Sequence, residues 1–158
     1  MNVEKITTSY VDADQYPWIA FSPYSEEVFI KVLKIEPISG TFVTLLKVPA
    51  GFKLPKHHHC GTVMVYTIKG HWRYLEHDWT AAPGSFVYET AASVHTPVAL
   101  TSGGNEIVTL NIQVGDSLYM GAKDDIIAVE NWKSVMNRHV AYHESRKLPV
   151  PDLSDFSH

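Results

Sequence analysis

The sequence predicts an all-β sandwich or barrel that is closed by one C-terminal α-helix. Short runs rich in Val, Ile, Thr and aromatic residues begin at residue 28, and Gly or Pro separates them. Strand-length runs that are spaced by about 8–12 residues and separated by Gly or Pro are typical of β-sandwiches and β-barrels. Between these runs no segment has the helical period that the crossovers of a parallel α/β sheet would need.

Seven runs are predicted to be strands, at residues 28–36, 41–49, 62–70, 71–76, 85–90, 95–101 and 106–114. Since 71–76 follows Gly70 directly, we expect it to form a hairpin with the run before it. The Pro-containing and aromatic residues 12–27 are expected to form an ordered loop over the core.

The last predicted strand has one apolar and one polar face. Val108, Leu110, Ile112 and Val114 alternate with Thr109, Asn111 and Gln113. Because successive side chains of a strand point to opposite faces, only one of these sets can be internal. We expect the apolar set to point inward, which leaves the three polar residues outside the site.

The helix is predicted at about residues 130–147. In ENWKSVMNRHVAYHESRK, the apolar and His residues recur at spacings of three and four, as on one face of an amphipathic helix. Asn131 suits an N-cap, while Arg146 and Lys147 suit the C-terminal end. With 158 residues, we expect a single domain spanning 1–158, with a barrel core at about 28–121.

Composition excludes several classes of protein. Apolar residues make up 45% and charged residues 19%, which is ordinary globular usage. The net charge of −4 gives no basic surface for nucleic acid, and no apolar stretch is long enough to span a membrane. Cys60 is the single cysteine, so an intramolecular disulfide is impossible. Since no signal peptide is visible, we expect a cytoplasmic protein.

Histidine is the unusual residue type, with three in succession at His57, His58 and His59. On a strand His57 and His59 point the same way, roughly 7 Å apart, and His58 points the other way. Two such imidazoles can bind one Zn, Cu, Fe or Ni ion. A third ligand has to come from a strand facing this pair, and His95 is the best candidate.

The stretch GFKLPKHHHCGTVMVYTIKG resembles the first cupin motif, G-x5-H-x-H-x3,4-E-x6-G, at Gly51, His57, His59 and Gly70. Where most cupins have the glutamate ligand, this chain has Val63, or Met64 under the longer spacing.

The second cupin motif is matched loosely by Pro83, Gly84 and His95, so that the resemblance covers about residues 41–115. It implies a double-stranded β-helix, the cupin jelly roll, with a metal ion inside the barrel.

A cupin with three histidines and no carboxylate is similar to the small non-haem iron dioxygenases that cleave β-diketones or dihydroxyacetophenones. The stretch WRYLEHDWTAAPGSFVYETAASVHTPV resembles the dihydroxyacetophenone dioxygenases. The resemblance implies Fe(II) held by His57, His59 and His95, and a ketone substrate cleaved with O₂. Zn or Ni is an alternative loaded metal, because imidazole sites do not select Fe(II).

The charge on a metal ion held by three imidazoles also favours a ketone substrate. Three neutral imidazoles leave the full +2 charge on an ion, which favours a substrate that becomes a bidentate enolate. Glu89, six residues before His95, is expected either to orient an imidazole or to take the substrate's α-proton. Val63 and Val65 are expected to point inward and to line an apolar pocket for an alkyl or aryl ketone.

Two other functions fit the same residues. One is a metal-binding cupin without oxidative turnover, such as a sensor or anti-sigma-type cupin. The helical zinc-binding segment usual in those proteins is not expected here, because residues 1–27 contain no His or Cys. The other is a Zn- or Ni-dependent isomerase or hydrolase. A homodimer is expected because it is the commonest assembly.

Overall fold

The computed structural model describes residues 8–154. Within this range the chain forms twelve strands and one helix, in chain order β1 Ile19–Ala20, β2 Phe29–Glu36, β3 Thr41–Pro49, β4 His57–His59, β5 Val63–Lys69, β6 His71–Tyr74, β7 Phe86–Glu89, β8 Val94–His95, β9 Pro97–Leu100, β10 Glu106–Val114, β11 Ser117–Met120, β12 Ile126–Glu130 and α1 Trp132–Ser145.

The strands form two principal antiparallel sheets. The larger has the order β1-β2-β3-β10-β5-β7 and the smaller the order β12-β11-β4-β8, while β6 and β9 form a separate ribbon. Buried apolar side chains, mostly Val, Ile and Phe, fill the space inside. The prediction of an all-β cupin sandwich with a C-terminal helix is confirmed. Within residues 8–154, no helix is long and apolar enough to cross a bilayer.

The expected orientation of β10 is wrong. Thr109 and Asn111 are buried, and with Gln113 they line the interior of the barrel. The apolar residues of β10, exemplified by Leu110 and Ile112, point to the outer side of the sheet and are only half-buried. The barrel therefore encloses a partly polar space, and a polar inner wall is tolerated where a cavity rather than packed core lies against it.

The expected hairpin between residues 62–70 and 71–76 is also wrong. β5 pairs with β10 and β7, whereas β6 pairs with β9. Gly70 sits between β5 and β6 with φ of +79°, and a Cβ there would lie 2.5 Å from the carbonyl oxygen of Glu106. This glycine lets the chain leave the large sheet and enter the ribbon, instead of turning back on itself.

Two strands that the sequence analysis did not predict lie beyond residue 114. β11 pairs with β4, so that Ser117 is the cross-strand partner of His59, and β12 then pairs with β11. β12 lies beyond the expected barrel boundary at 121. The short β11, only four residues long, gives little alternation from which to predict a strand.

The C-terminal helix begins and ends within two residues of the predicted bounds. Asn131 is its N-cap, as expected, and its side chain accepts hydrogen bonds from the backbone N–H groups of Lys133 and Ser134. Arg138 on the helix forms a two-pronged ion pair with the buried Glu130, with N–O distances of 2.9 Å. These contacts, and the burial of Val135 against the core, hold the helix on the sandwich.

Candidate metal centre

Three histidine side chains converge inside the barrel. β4 places His57 and His59 on one face, and the pairing of β4 with β8 makes His57 and His95 direct cross-strand partners. Their ligand nitrogens lie within 4.8 Å of one another, and the three residues are 8%, 4% and 2% exposed. His95 thus lies on the neighbouring strand of the same sheet, not on a facing strand.

The intervening residue of β4 points away from this cluster. His58 is only half-buried, and its Nδ1 lies 4.0 Å from the Sγ of the exposed Cys60. The structure therefore divides the run of three histidines between two faces, as the alternation of a strand requires.

Two of the imidazoles are oriented by hydrogen bonds at Nδ1. His57 Nδ1 donates to the Pro55 carbonyl at 3.0 Å. Ser117 Oγ donates to Gln113 Oε1, which leaves it to accept from His59 Nδ1 at 2.9 Å. Such contacts fix the tautomer of a ligating histidine. The Nε2 atoms are left to face the centre of the cluster.

Glu89 brings a carboxylate to the same centre. Its Oε2 lies 2.9 Å from His59 Nε2 and 3.2 Å from His95 Nε2, and Tyr74 donates its hydroxyl hydrogen bond to Oε1. The expected surroundings, three imidazoles without an acidic oxygen, differ from this arrangement. Because Glu89 approaches Nε2 rather than Nδ1, it does not orient the imidazoles from behind.

The cluster is electrostatically prepared for a cation. Burial, reinforced by the neighbouring His59 and His95, lowers the pKa of His57 to about 3. Burial by itself raises the pKa of Glu89, but the contacts with His59 and His95 outweigh it and bring that pKa to about 2. A neutral imidazole and an ionised carboxylate are the forms that bind metal ions.

A metal ion fits these residues. Glu89 Oε2 and His95 Nε2 are fully buried and, although close, are not aligned for a hydrogen bond, so both lack a partner within residues 8–154. Buried polar atoms without partners are rare and call for an explanation. A cation among these atoms would satisfy both, with His57, His59 and His95 as its nitrogen ligands and the Glu89 carboxylate as a neighbouring negative charge.

The cluster opens into a cavity that Val63 and Val65 line, in the orientation expected from the sequence. The centre of a water molecule can move through about 100 Å³ of it, several times the ~10–15 Å³ that one water needs. This volume leaves room for a small ligand beside the histidines.

The ring of Tyr74 stacks on the imidazole of His95 with a centroid separation of 3.9 Å.

A second, more open cleft lies beside the cluster, and Glu89, His95, Trp79 and Tyr88 are among the residues that line it.

Two residues of the site, Tyr74 and Ser117, were not predicted from the sequence. Ser117 lies on the unpredicted β11, and Tyr74 lies on a ribbon whose pairing was wrongly predicted. Neither belongs to a spacing pattern, so no signal in the chain marks them.

Comparison with known proteins defines the family. Residues 7–114 match the family described as the ChrR cupin-like domain, and the chain belongs to this cupin family. No curated protein sequence matches the chain. An RmlC-like cupin protein from Ralstonia eutropha JMP134 is 50% identical, with a TM-score of 0.95 over 99% of this chain and 100% of that one.

More distant structures share the fold. The acetylacetone dioxygenase of Acinetobacter johnsonii is 17% identical, with a TM-score of 0.77 over 86% of this chain and 93% of that one. The anti-sigma protein ChrR, in complex with SigE from Rhodobacter sphaeroides, is 20% identical, with a TM-score of 0.53 over 65% of this chain and 50% of that one. These likenesses establish the cupin architecture and leave the activity to be argued from the site.

Proposed function

We propose that this protein is a metal-dependent cupin oxygenase that uses O₂ to cleave a carbon–carbon bond of a β-diketone or a hydroxyacetophenone-type ketone. The observation that carries the proposal is the convergence of three buried imidazoles and one ionised carboxylate on a cavity with apolar walls. The similarity of this fold to that of an acetylacetone dioxygenase is consistent with the proposal.

The three histidines hold the ion, for which Fe(II) is the proposed metal and Zn or Ni the alternative. When bound, Fe(II) supplies Lewis acidity toward the ketone oxygens and electrons for the reaction with O₂. Val63 and Val65 contact the alkyl or aryl part of the substrate and keep water away from it. Pro55 and Ser117 hold the imidazoles in place through their Nδ1 atoms.

Glu89 takes the α-proton of the ketone. The carboxylate is ionised, so it can accept a proton from a ketone whose α-position a bound cation has made more acidic. As Glu89 becomes neutral, the negative charge passes to the enolate, and the charge close to the ion stays constant. Tyr74 keeps the carboxylate oriented through its hydrogen bond to Oε1.

A metal-binding cupin without turnover is the second candidate. The family match to the ChrR cupin-like domain favours it, because ChrR is described as an anti-sigma protein. A Zn- or Ni-dependent isomerase or hydrolase would use the same ligands.

Anaerobic reconstitution with Fe(II), followed by candidate β-diketones and hydroxyacetophenones and then O₂, distinguishes these functions. Oxygen uptake that matches the mass of cleaved product supports the oxygenase. Tight binding of one metal ion without O₂ consumption supports the second candidate and overturns the first. Glu89→Gln should slow cleavage by roughly 10²–10⁴-fold, whereas Glu144→Gln, on the exposed side of the helix, should not.

A further inference from the structure

We propose that Glu76 is a positioning residue for the metal centre, which holds His95 in place by binding Thr96, the residue that follows it in the chain. Glu76 is exposed and lies in the turn after β6. The inference rests on the proposed function in one respect, since it takes His57, His59 and His95 as the ligands of one cation. It adds to the site a residue that acts through Thr96 rather than by contact with the cation.

His95 lacks the hydrogen bond that orients each of the other two ligands. His57 and His59 donate through Nδ1 to the Pro55 carbonyl and the Ser117 hydroxyl. Within residues 8–154, the imidazole of His95 has ring contacts and the approach of a carboxylate, but no hydrogen bond at Nδ1. Its position therefore depends more strongly on the backbone that carries it.

The strand that carries His95 gives that backbone little support. β8 consists of Val94 and His95 alone, lies at the edge of the smaller sheet and pairs there with β4. A two-residue strand at a sheet edge has few backbone hydrogen bonds, and such segments open easily. The chain on either side of His95 has to be held by other contacts.

Glu76 holds the chain on the side that follows His95. Its Oε2 accepts a hydrogen bond from the backbone N–H of Thr96 at 2.9 Å, and its Oε1 accepts one from the Thr96 hydroxyl at 2.8 Å. The neighbouring Leu75 donates its N–H to the Thr96 carbonyl at 3.0 Å. All three polar groups of Thr96 are thus bound to the turn after β6. Hydrogen bonds to an ionised carboxylate are roughly twice as strong as neutral ones.

Thr96 lies where the chain passes from one sheet to another. β8 ends at His95 in the smaller sheet, and β9 begins at Pro97 in the ribbon with β6. Thr96 belongs to neither strand and is 6% exposed. Without Glu76 its buried N–H would lose its partner, which is costly. We expect this junction to rearrange when the carboxylate is removed.

A shift of Thr96 displaces His95, because the Cα atoms of consecutive residues are about 3.8 Å apart and rigidly linked. The ligand nitrogens of the three histidines lie within 4.8 Å of one another, and a functional site tolerates displacements of only about 0.5 Å. Stacking on Tyr74 fixes the plane of the His95 ring. The position of the ring within that plane follows the backbone that Glu76 holds.

The test is the affinity of the full-length chain for Zn²⁺, measured by competition with a chromophoric chelator. We expect Glu76→Ala to bind Zn²⁺ about 10–100-fold more weakly than the wild type. The matched control is Glu36→Ala, at the end of β2, a strand without histidine. The Glu36 carboxylate also accepts two backbone hydrogen bonds, from Ile38 at 2.9 Å and Ser39 at 2.7 Å. Its removal should leave the Zn²⁺ affinity unchanged.

Substitution of Thr96 tests the same contact with less disturbance of the fold. Thr96→Val removes the hydroxyl contact and keeps the backbone one, so we expect a smaller but measurable loss of Zn²⁺ affinity. Thr96→Ser keeps the hydroxyl and should keep the wild-type affinity. Since both substitutions act on one contact, Glu76→Ala combined with Thr96→Val should bind Zn²⁺ no more weakly than Glu76→Ala alone.

Cobalt separates the positioning of His95 from a general loss of stability. The visible absorption of bound Co²⁺ depends on the number and geometry of its ligands. We expect an altered spectrum in Glu76→Ala and the wild-type spectrum in Glu36→Ala. Denaturant unfolding of the metal-free variants measures the stability that each one loses.

Wild-type Zn²⁺ affinity in folded Glu76→Ala would overturn the inference, and so would an equal loss in Glu36→Ala. If Glu76→Ala does not fold, equal affinities of Thr96→Val and Thr96→Ser overturn it instead. A wild type that binds no Zn²⁺ would overturn the histidine site and this inference together. Zn²⁺ binding that depends on Glu76, in a protein that consumes no O₂ with Fe(II), would overturn the oxygenase proposal alone.

Discussion

Glu89 on β7 and Val63 on β5 are direct cross-strand partners. Both point into the barrel and line the same cavity. Val63 occupies the position at which the first cupin motif has its glutamate, so the carboxylate that this motif lacks is supplied by the adjacent strand. The site therefore combines three imidazoles with a carboxylate, although the spacing of the first motif shows none.

His95→Ala should weaken metal binding much more than His58→Ala. His95 faces the cluster and is its third nitrogen donor, whereas His58 points to the opposite side of β4. We expect a loss in affinity of more than about 100-fold for His95→Ala, since a ligand should matter more than the groups that orient it. Competition with a chromophoric chelator measures it. Equal losses for the two variants would contradict the strand register.

Ser117→Ala should lower metal affinity about 10–100-fold, because Ser117 fixes the tautomer of His59 from behind. The matched control is Ser102→Ala, which removes a similar hydroxyl contact, 3.2 Å from Nδ1 of the surface residue His71. Metal titration of both variants, with circular dichroism to verify folding, measures the difference. Unchanged affinity in Ser117→Ala would show that the contact does not orient the ligand.

Gly70→Ala should destabilise the protein more than Gly84→Ala. Both glycines have positive φ, which costs an alanine about 1–2 kcal/mol. A Cβ at Gly70 also meets the Glu106 carbonyl at 2.5 Å, whereas at Gly84 nothing lies within 4 Å. We expect Gly70→Ala to lower the free energy of unfolding by about 3 kcal/mol or more, at the upper end of single-substitution effects, as measured by denaturant unfolding. Similar losses at both positions would mean that the turn after β5 relaxes freely.

The C-terminal segment should lose stability in acid through His139. This residue is 1% exposed and its Nε2 donates to the Pro151 carbonyl at 3.2 Å. Burial, which outweighs the opposing effect of that hydrogen bond, lowers its pKa from 6.5. The unfolded chain thus binds the proton more readily, so stability falls as the pH drops below about 6.5.

His139→Leu should therefore reduce the pH dependence of the unfolding free energy, whatever its effect on absolute stability. The same substitution at the exposed His77 is the control. Urea unfolding at several pH values from neutral to mildly acidic measures the slope. An unaltered slope in His139→Leu would assign the acid sensitivity to other groups.

The fold class and the three histidines that converge in the structure could be predicted from the amino-acid sequence. Local backbone preferences determine where short apolar runs, the Gly and Pro residues between them and the helical period at the C-terminus occur. These patterns can be recognised in a single sequence. Alternation along a strand likewise separated His57 and His59 from His58.

The pairing of the strands and the internal face of β10 could not be predicted from the sequence and became known from the folded structure. The polar face of Thr109 and Asn111 points inward because a cavity, and not packed core, lies against it, and nothing local to residues 106–114 reveals that space. The approach of Glu89 to His59 and His95 depends on which strand lies beside β5. The packing of the entire barrel determines which strands pair. Contacts between segments that are distant in sequence produce no periodic pattern of residues from which this pairing could be predicted.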